Sequence, residues 1–479
     1  MRFPDPSCFQ GERMQLLEPE VLLTPEGPVR DHAVVVEDAT FRAVGPAAVL
    51  AQRYPRLRRI RLDGCLLMPG FVDTHHHLTQ KLGGSLAFGE PSEIFRRVWE
   101  PLEGTLDVES AYLSTKLAAL EALRGGFTTV VDAGTRAPVD VEAVASATRD
   151  AGIRCVLGLV CADRDGASSP VEVLAGAEKH LARYRNDPLV HPSLAVPIPE
   201  AATDRVLQAT ARLAAEAGAV VQIHVNEHLA SVERSLLARG ERPLEHLHQL
   251  GALGPQLLAA HATLLTPREL MLLRDTGTAV SYNPVASAWK GNAVAPATAM
   301  AELGIRFGIG TDGTRGDAFR LVCAAEFAQR ISYGLATGDS SCGAGWTWLD
   351  HATRLGAEAA GLGAVTGQIA TGSQADFLLV DIDGPELRPS WDLPWELVRL
   401  ANRDQIRAVF VAGRLRLWQG WPPDWDGPAL VADAARIARE VVARAPIVRA
   451  HPTSTEHRAA ARRVAVAQAT TARAGLEEL

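Results

Sequence analysis

Closely spaced cysteines are missing from this 479-residue chain: Cys8, Cys65, Cys155, Cys161, Cys323 and Cys342 are scattered with no short paired spacing. That pattern excludes a zinc-knuckle or CxxC redox motif. A chain of this size needs no disulfide staples, so free thiols in a reducing cytoplasm are expected. Long apolar runs are missing too. The first fifteen residues, MRFPDPSCFQGERMQ, lack the apolar stretch of a secretory signal, and no run approaches the ~18 residues of a membrane span. An excess of positive charge is also absent. The formal net charge is −8, whereas nucleic-acid binding requires clustered basic charge. The basic stretches at 53–61 and 458–463 read as solvated faces. Neither internal repeats nor low-complexity tracts are found. A soluble, cytoplasmic protein that binds neither membrane nor nucleic acid is expected.

What is present is ordinary globular material: 47% hydrophobic and 22% charged residues leave no case for disorder. Domains seldom grow past about 250–300 residues, so one large domain and a smaller one are expected. Residues 1–66 carry short half-apolar runs broken by Pro and Gly, a strand-rich signature. From residue 67 apolar strands alternate with alanine-rich helical stretches. Eight strands are predicted, at 69–77, 128–134, 154–160, 194–199, 219–225, 257–263, 278–284 and 306–312. Helical patterns lie between them, for example at 111–124, 140–151, 173–185, 204–217 and 267–276. Eight such units indicate a closed (β/α)8 barrel, here assigned to 67–365. Helical stretches at 318–333 and 346–360 follow strand eight. Strand-like runs return at 375–381 and 408–417, so 366–428 is expected to complete one discontinuous small domain with 1–66. The segment 429–479, rich in Ala, Arg and Glu, reads as a helical extension.

The chemistry sits at strand ends. In Asp73-Thr74-His75-His76-His77, alternation along a strand points His75 and His77 to one side and His76 away. His224 ends strand five and is followed by Glu227, His261 ends strand six, and Asp312 ends strand eight. A lone strand histidine is usually a hydrogen-bonded core residue, and a lone Asp after a strand is usually a helix cap. Barrel active sites form at the C-terminal strand ends, however, and imidazoles and a carboxylate from four such ends together favour a metal site.

PGFVDTHHH, the His224-x-x-Glu227 pair, His261 and GIGTDG resemble the amidohydrolase superfamily. His75-x-His77-x-x-Gln80 makes the chain most similar to its cytosine, guanine and triazine aminohydrolase branch. GxxATGSQADFLLVD resembles the strand re-entering that family's small β-sandwich, whose first half the N-terminal segment resembles. The resemblance implies one divalent ion, zinc or else iron, held by His75, His77, His224 and Asp312. Such an ion lowers the pKa of a bound water from ~15.7 towards ~7. Asp312 would also accept the water's proton, His261 would orient the water and stabilise the tetrahedral intermediate, and Glu227 would shuttle protons. Gln80 matches a position that contacts the substrate ring, and Trp99, Trp289 and Asn283 are further candidates for the pocket. No lysine stands near the end of strand four, around Val196-Pro197-Ile198-Pro199-Glu200, which favours a mononuclear site and deamination.

Two stretches depart from the branch. Ser281-Tyr282-Asn283-Pro284-Val285-Ala286 replaces a His-Cys-Pro-x-Ser-Asn run, and Thr314-Arg315-Gly316-Asp317 replaces a Ser-Asn pair. Both would face the substrate rather than the metal, and Arg315 reads as a surface arginine. The expected reaction is hydrolytic deamination of an amino-substituted N-heterocycle: a purine such as guanine or 8-oxoguanine, a pyrimidine, a pterin or an s-triazine. Displacement of halide or alkylamine from a similar ring is the nearest alternative. A cyclic-amide hydrolase comes next and a non-catalytic scaffold last. By analogy with relatives, a homo-oligomer is expected.

Overall fold

Eight parallel strands, Phe71–His76, Phe127–Asp132, Arg154–Val160, Val190–Val196, Val221–Val225, Leu257–His261, Ala279–Tyr282 and Phe307–Ile309, pair in chain order in the computed structural model. The structure describes residues 5–9, 13–91, 94–164, 166 and 168–477, with side chains up to 465. The remaining residues of the predicted first and last segments lie outside the described ones.

Closure between strands eight and one falls at the site end. The Asp312 N–H donates to the His75 carbonyl (2.8 Å). Asp73 accepts from the Thr311 N–H (2.9 Å) and the Thr311 hydroxyl (2.5 Å). Asp73 is fully enclosed. Burial raises its pKa to about 7 against the lowering effect of those hydrogen bonds.

All eight predicted strands are present. The fourth starts at Val190, earlier than predicted, and ends at Val196, where Pro197 and Pro199 remove ladder donors. A Cβ on Gly310 would stand 2.3 Å from Asn283 Oδ1 and 2.9 Å from His75 Cβ. Glycine therefore lets strand eight pass against the site residues.

The second sheet draws strands from both ends of the chain. Its order is Arg414–Trp418, Ile406–Val411, Phe377–Asp381, Arg59–Pro69, Met14–Thr24, His32–Glu37 and Thr40–Pro46, with Gly27–Val29 added on Met14–Thr24. The sheet curls, since the Phe41 N–H donates to the Ser373 carbonyl and the Phe41 ring lies 5.8 Å from Phe377. Leu17, Val34, Phe41, Phe377 and Phe410 share its core. A fully enclosed Arg154–Asp376 ion pair (2.8 Å) ties this region to the third barrel strand.

The predicted helical run at 346–360 divides into Ala344–Ala352 and Arg354–Ala359. The C-terminal extension forms Gly427–Arg444 and Ser454–Glu477, separated by a stretch containing Pro446 and Pro452. Ile437 and Val441 of the first helix pack with Leu102, Leu106 and Ala111.

Candidate active site at the barrel mouth

The strand ends bring five side chains together. His75 Nε2 lies 3.4 Å and His77 Nε2 3.3 Å from Asp312 Oδ1, and the Nε2 atoms of His77 and His224 are 3.2 Å apart. His261 lies with its ring centroid 5.3 Å from that of His75 and 5.4 Å from that of His224. One potential ligand atom from each of His75, His224, His261 and Asp312 falls within 4.8 Å of the others. His76 points elsewhere and borders only a small annex.

The donor chemistry fits a divalent ion. Burial, aided by the neighbouring imidazoles, holds His224 well below its ordinary pKa. It also lowers His77 and takes His261 to about 3. The rings are therefore neutral, as metal ligands must be. Both ring nitrogens of His75, Nδ1 of His77 and Nε2 of His261 are buried without a hydrogen-bond partner. Such a cluster is costly unless something engages it.

Local backbone strain is concentrated here. Asn226, His261, Ala262 and Asp312 all have positive φ, with His261 at 72° and Asp312 at 53°. Non-glycine residues in that region are uncommon and collect at functional sites. Asp132, at the end of strand two, accepts from the Leu78 N–H (3.0 Å) and thereby fixes the turn that carries His77.

Glu227 lies 3.7 Å from His261 Nε2 and 3.2 Å from His228 Nε2. Lys290 bridges the acids, with Nζ 2.7 Å from both Glu227 Oε1 and Asp312 Oδ2. Burial would raise both carboxyls. His261 and Lys290 instead hold Glu227 well below the usual carboxylate range, and Lys290, His75 and His77 do the same for Asp312. Burial would in turn lower Lys290, but the two carboxylates raise it, so it stays an ammonium.

A cavity of about 320 Å³ opens over this floor, lined among others by His77, Gln80, Trp99, Arg136, His224 and Glu227. That volume suits a small-molecule site. Gln80 and Trp99 stand in its wall as expected. Trp289 stands apart, lining the annex and 46% exposed, with its ring edge-on to Phe88 at 4.7 Å. Asn283 is not in the cavity wall. It is 1% exposed, accepts from the Ser281 hydroxyl (2.9 Å), and its amide donates to His261 Nδ1 (3.3 Å). The residue after strand seven turns inward because Pro284 starts a helix immediately behind it. Arg315 pairs with Asp317 (3.4 Å) and is 43% exposed. Ile198 and Glu200 line the cavity at the end of strand four.

Sequence reasoning missed Lys290, His228, and Arg136 with its buried partner Glu103 (2.9 Å). The adjacency of His228 to Glu227 was a usable signal. Lys290, at the end of a short helix in a departing stretch, offered none.

The amidohydrolase family model matches residues 66–416. A 5-methylthioadenosine/S-adenosylhomocysteine deaminase of Syntrophobacter fumaroxidans is 31% identical over 398 residues, covering 82% of this chain and 90% of that protein. A 5'-deoxyadenosine deaminase of Methanopyrus kandleri is 28% identical over 412 residues, covering 84% and 93%. Among solved structures, an adenosine deaminase from Xanthomonas campestris with bound zinc is similar with TM-score 0.82 at 29% identity, over 90% of this chain and 98% of that one. An atrazine chlorohydrolase from Arthrobacter aurescens shares the fold, with TM-score 0.76 at 20% identity over 88% and 99%. The strand-end cluster, the barrel and these matches agree: the chain belongs to the amidohydrolase family and is a hydrolase of carbon–nitrogen bonds.

Proposed function

We propose that the chain is a metal-dependent aminohydrolase that replaces the exocyclic amine of an adenine nucleoside by oxygen and releases ammonia. The observation that carries this is the convergence of His75, His77, His224 and Asp312 with His261 and Glu227 on the floor of one cavity. The relatives refine the substrate. They deaminate adenine nucleosides by name, which moves the purine reading from guanine or 8-oxoguanine to adenine and away from triazines and pterins.

His75, His77, His224 and Asp312 would hold the ion. Imidazole and carboxylate donors suit zinc and iron alike, and zinc is favoured by the ion bound to the Xanthomonas relative. When bound, the ion supplies Lewis-acid activation of water. The remaining work belongs to side chains. Asn283 donates to Nδ1 of His261, so the proton of that neutral ring sits on Nε2, which faces the site. Nε2–H is placed to donate to the oxygen that adds to the ring carbon bearing the amine. Asp312 accepts one proton of the attacking water. Glu227, kept ionised by His261 and Lys290, relays protons to the substrate. Of the water's two protons, one ends on the neighbouring ring nitrogen. The other leaves with the amine as ammonia, the C–N bond breaking as the carbonyl forms.

The test is ammonia release by the zinc-loaded chain from 5'-methylthioadenosine, S-adenosylhomocysteine, 5'-deoxyadenosine and adenosine, beside guanine, 8-oxoguanine, cytosine and an aminotriazine. Release from the adenine nucleosides alone is expected. Release confined to guanine or the triazine would refute the substrate class, and no ammonia from any of these while an alkylamino-chlorotriazine loses chloride or alkylamine would refute the reaction.

A further inference from the structure

We propose that Glu90 is a positioning residue for the substrate cavity, clamping its outer wall to the C-terminal extension. This rests on the cavity over His224 and Glu227 being the substrate site.

The Glu90 side chain is fully enclosed, although it sits in a loop beyond the first strand. Among the described residues its carboxylate accepts four hydrogen bonds. Arg97 donates at 2.6 Å from its own loop. The other three come from about 360 positions away: Arg449 Nε at 3.1 Å, the Ala450 N–H at 2.8 Å and the His451 N–H at 3.4 Å. Two further bonds run alongside, from the Arg449 guanidinium to the Phe88 carbonyl (3.1 Å) and from the Val448 N–H to the Arg97 carbonyl (3.0 Å). A buried carboxylate with charge-assisted and backbone donors in this arrangement is a strong, directional anchor.

The loop so held is cavity wall. Ile94, Phe95, Arg96 and Trp99 line the main cavity, and Phe88 backs Trp289 at the annex. Trp99 also belongs to the hydrophobic cluster that includes Val442 and Ile447 of the extension. The wall is thus bonded by 448–451 and shares a hydrophobic cluster with Val442 and Ile447. The extension lies beyond the family-model match, which ends at residue 416. Among the described residues Glu90 and Arg449 form their hydrogen bonds and ion pairs with the loop and the extension and none with the five-residue cluster on the floor, which makes substrate fit, rather than metal binding, the property they control.

Full-length Glu90→Gln and Arg449→Ala test this, with Arg449→Lys as the conservative variant and Arg436→Ala, on the exposed face of the same extension, as control. Arg449→Ala removes a side chain that is 24% exposed, more accessible than the enclosed Glu90, and keeps the backbone donors, so it folds even if Glu90→Gln does not. Amide hydrogen exchange over 86–103 should quicken by about tenfold or more in both clamp variants. KM for 5'-methylthioadenosine should rise about 5–20-fold with kcat within about twofold, zinc content unchanged and partial recovery in Arg449→Lys. Unchanged exchange over 86–103 would overturn the clamp. Faster exchange with unchanged KM, or equal loss of kcat and zinc, would overturn its positioning role. If the parent chain is silent on every adenine nucleoside, the proposed function falls and the exchange result alone decides the clamp.

Discussion

The floor of the cavity is made of strand ends, each fixed by its neighbour in the closed barrel. The rim is made of loops, short helices and a segment that returns from the far end of the chain. On the floor, Asp73 ties strand eight to strand one beneath the histidines, and Asn283 sets the tautomer of His261. At the rim, Glu90 reaches across 359 positions to Arg449. Barrel closure supplies precision where the chemistry happens, and added contacts shape what is admitted. Damage to the floor should therefore cost metal or kcat, and damage to the rim should cost KM.

The largest break is expected from His224→Ala. Zinc content should fall below one ion per chain and turnover should drop by at least about 10²-fold. Metal analysis beside ammonia release checks this, and full zinc with lost turnover would remove His224 from the ligand set. Next is Glu227→Gln. A kcat loss of about 10²–10⁴-fold with zinc retained is expected of a proton-transfer residue. Normal kcat would assign the proton to another group.

Asn283→Ala sharpens the comparison, because sequence reasoning put Asn283 in the substrate wall and the structure puts it behind His261. Loss of the Nδ1 partner should lower kcat by about 10–100-fold with KM little changed. A rise in KM alone would restore the substrate-contact reading.

The smallest effect is the pH dependence of the clamp. Burial raises the Glu90 carboxyl, but the Ala450 amide, Arg97, Arg449 and the His451 amide outweigh it and hold the pKa at about 2, against an ordinary 4.5. A depressed folded-state pKa contributes stability that is present above 4.5 and is lost as pH falls towards 2. The urea-midpoint advantage of the parent chain over Glu90→Gln should therefore be full at pH 6 and shrink between pH 4.5 and 3. A constant difference across that range would show that the carboxylate charge is not what holds the wall.

This division also explains what the sequence disclosed. The eight barrel strands, and His75, His77, His224, His261 and Asp312 at their ends, were legible because short apolar runs between helical stretches, and strand-end placement, are local consequences of the pattern. Asn283 was visible as a residue but not in its role, because inward or outward aim after strand seven depends on where Pro284 starts a helix. Lys290, Arg136 with Glu103, and the Glu90–Arg449 pairing depend on loop paths and long-range contacts that no local period encodes. The same holds for Arg154 and Asp376, a buried pair 222 positions apart.

The central claim, that one ion on this floor drives release of ammonia, is tested most directly by titrating zinc into the metal-stripped chain while following ammonia from 5'-methylthioadenosine. Activity should climb in proportion to added zinc and level off at one ion per chain. A plateau at two ions, or turnover independent of added metal, would contradict the account.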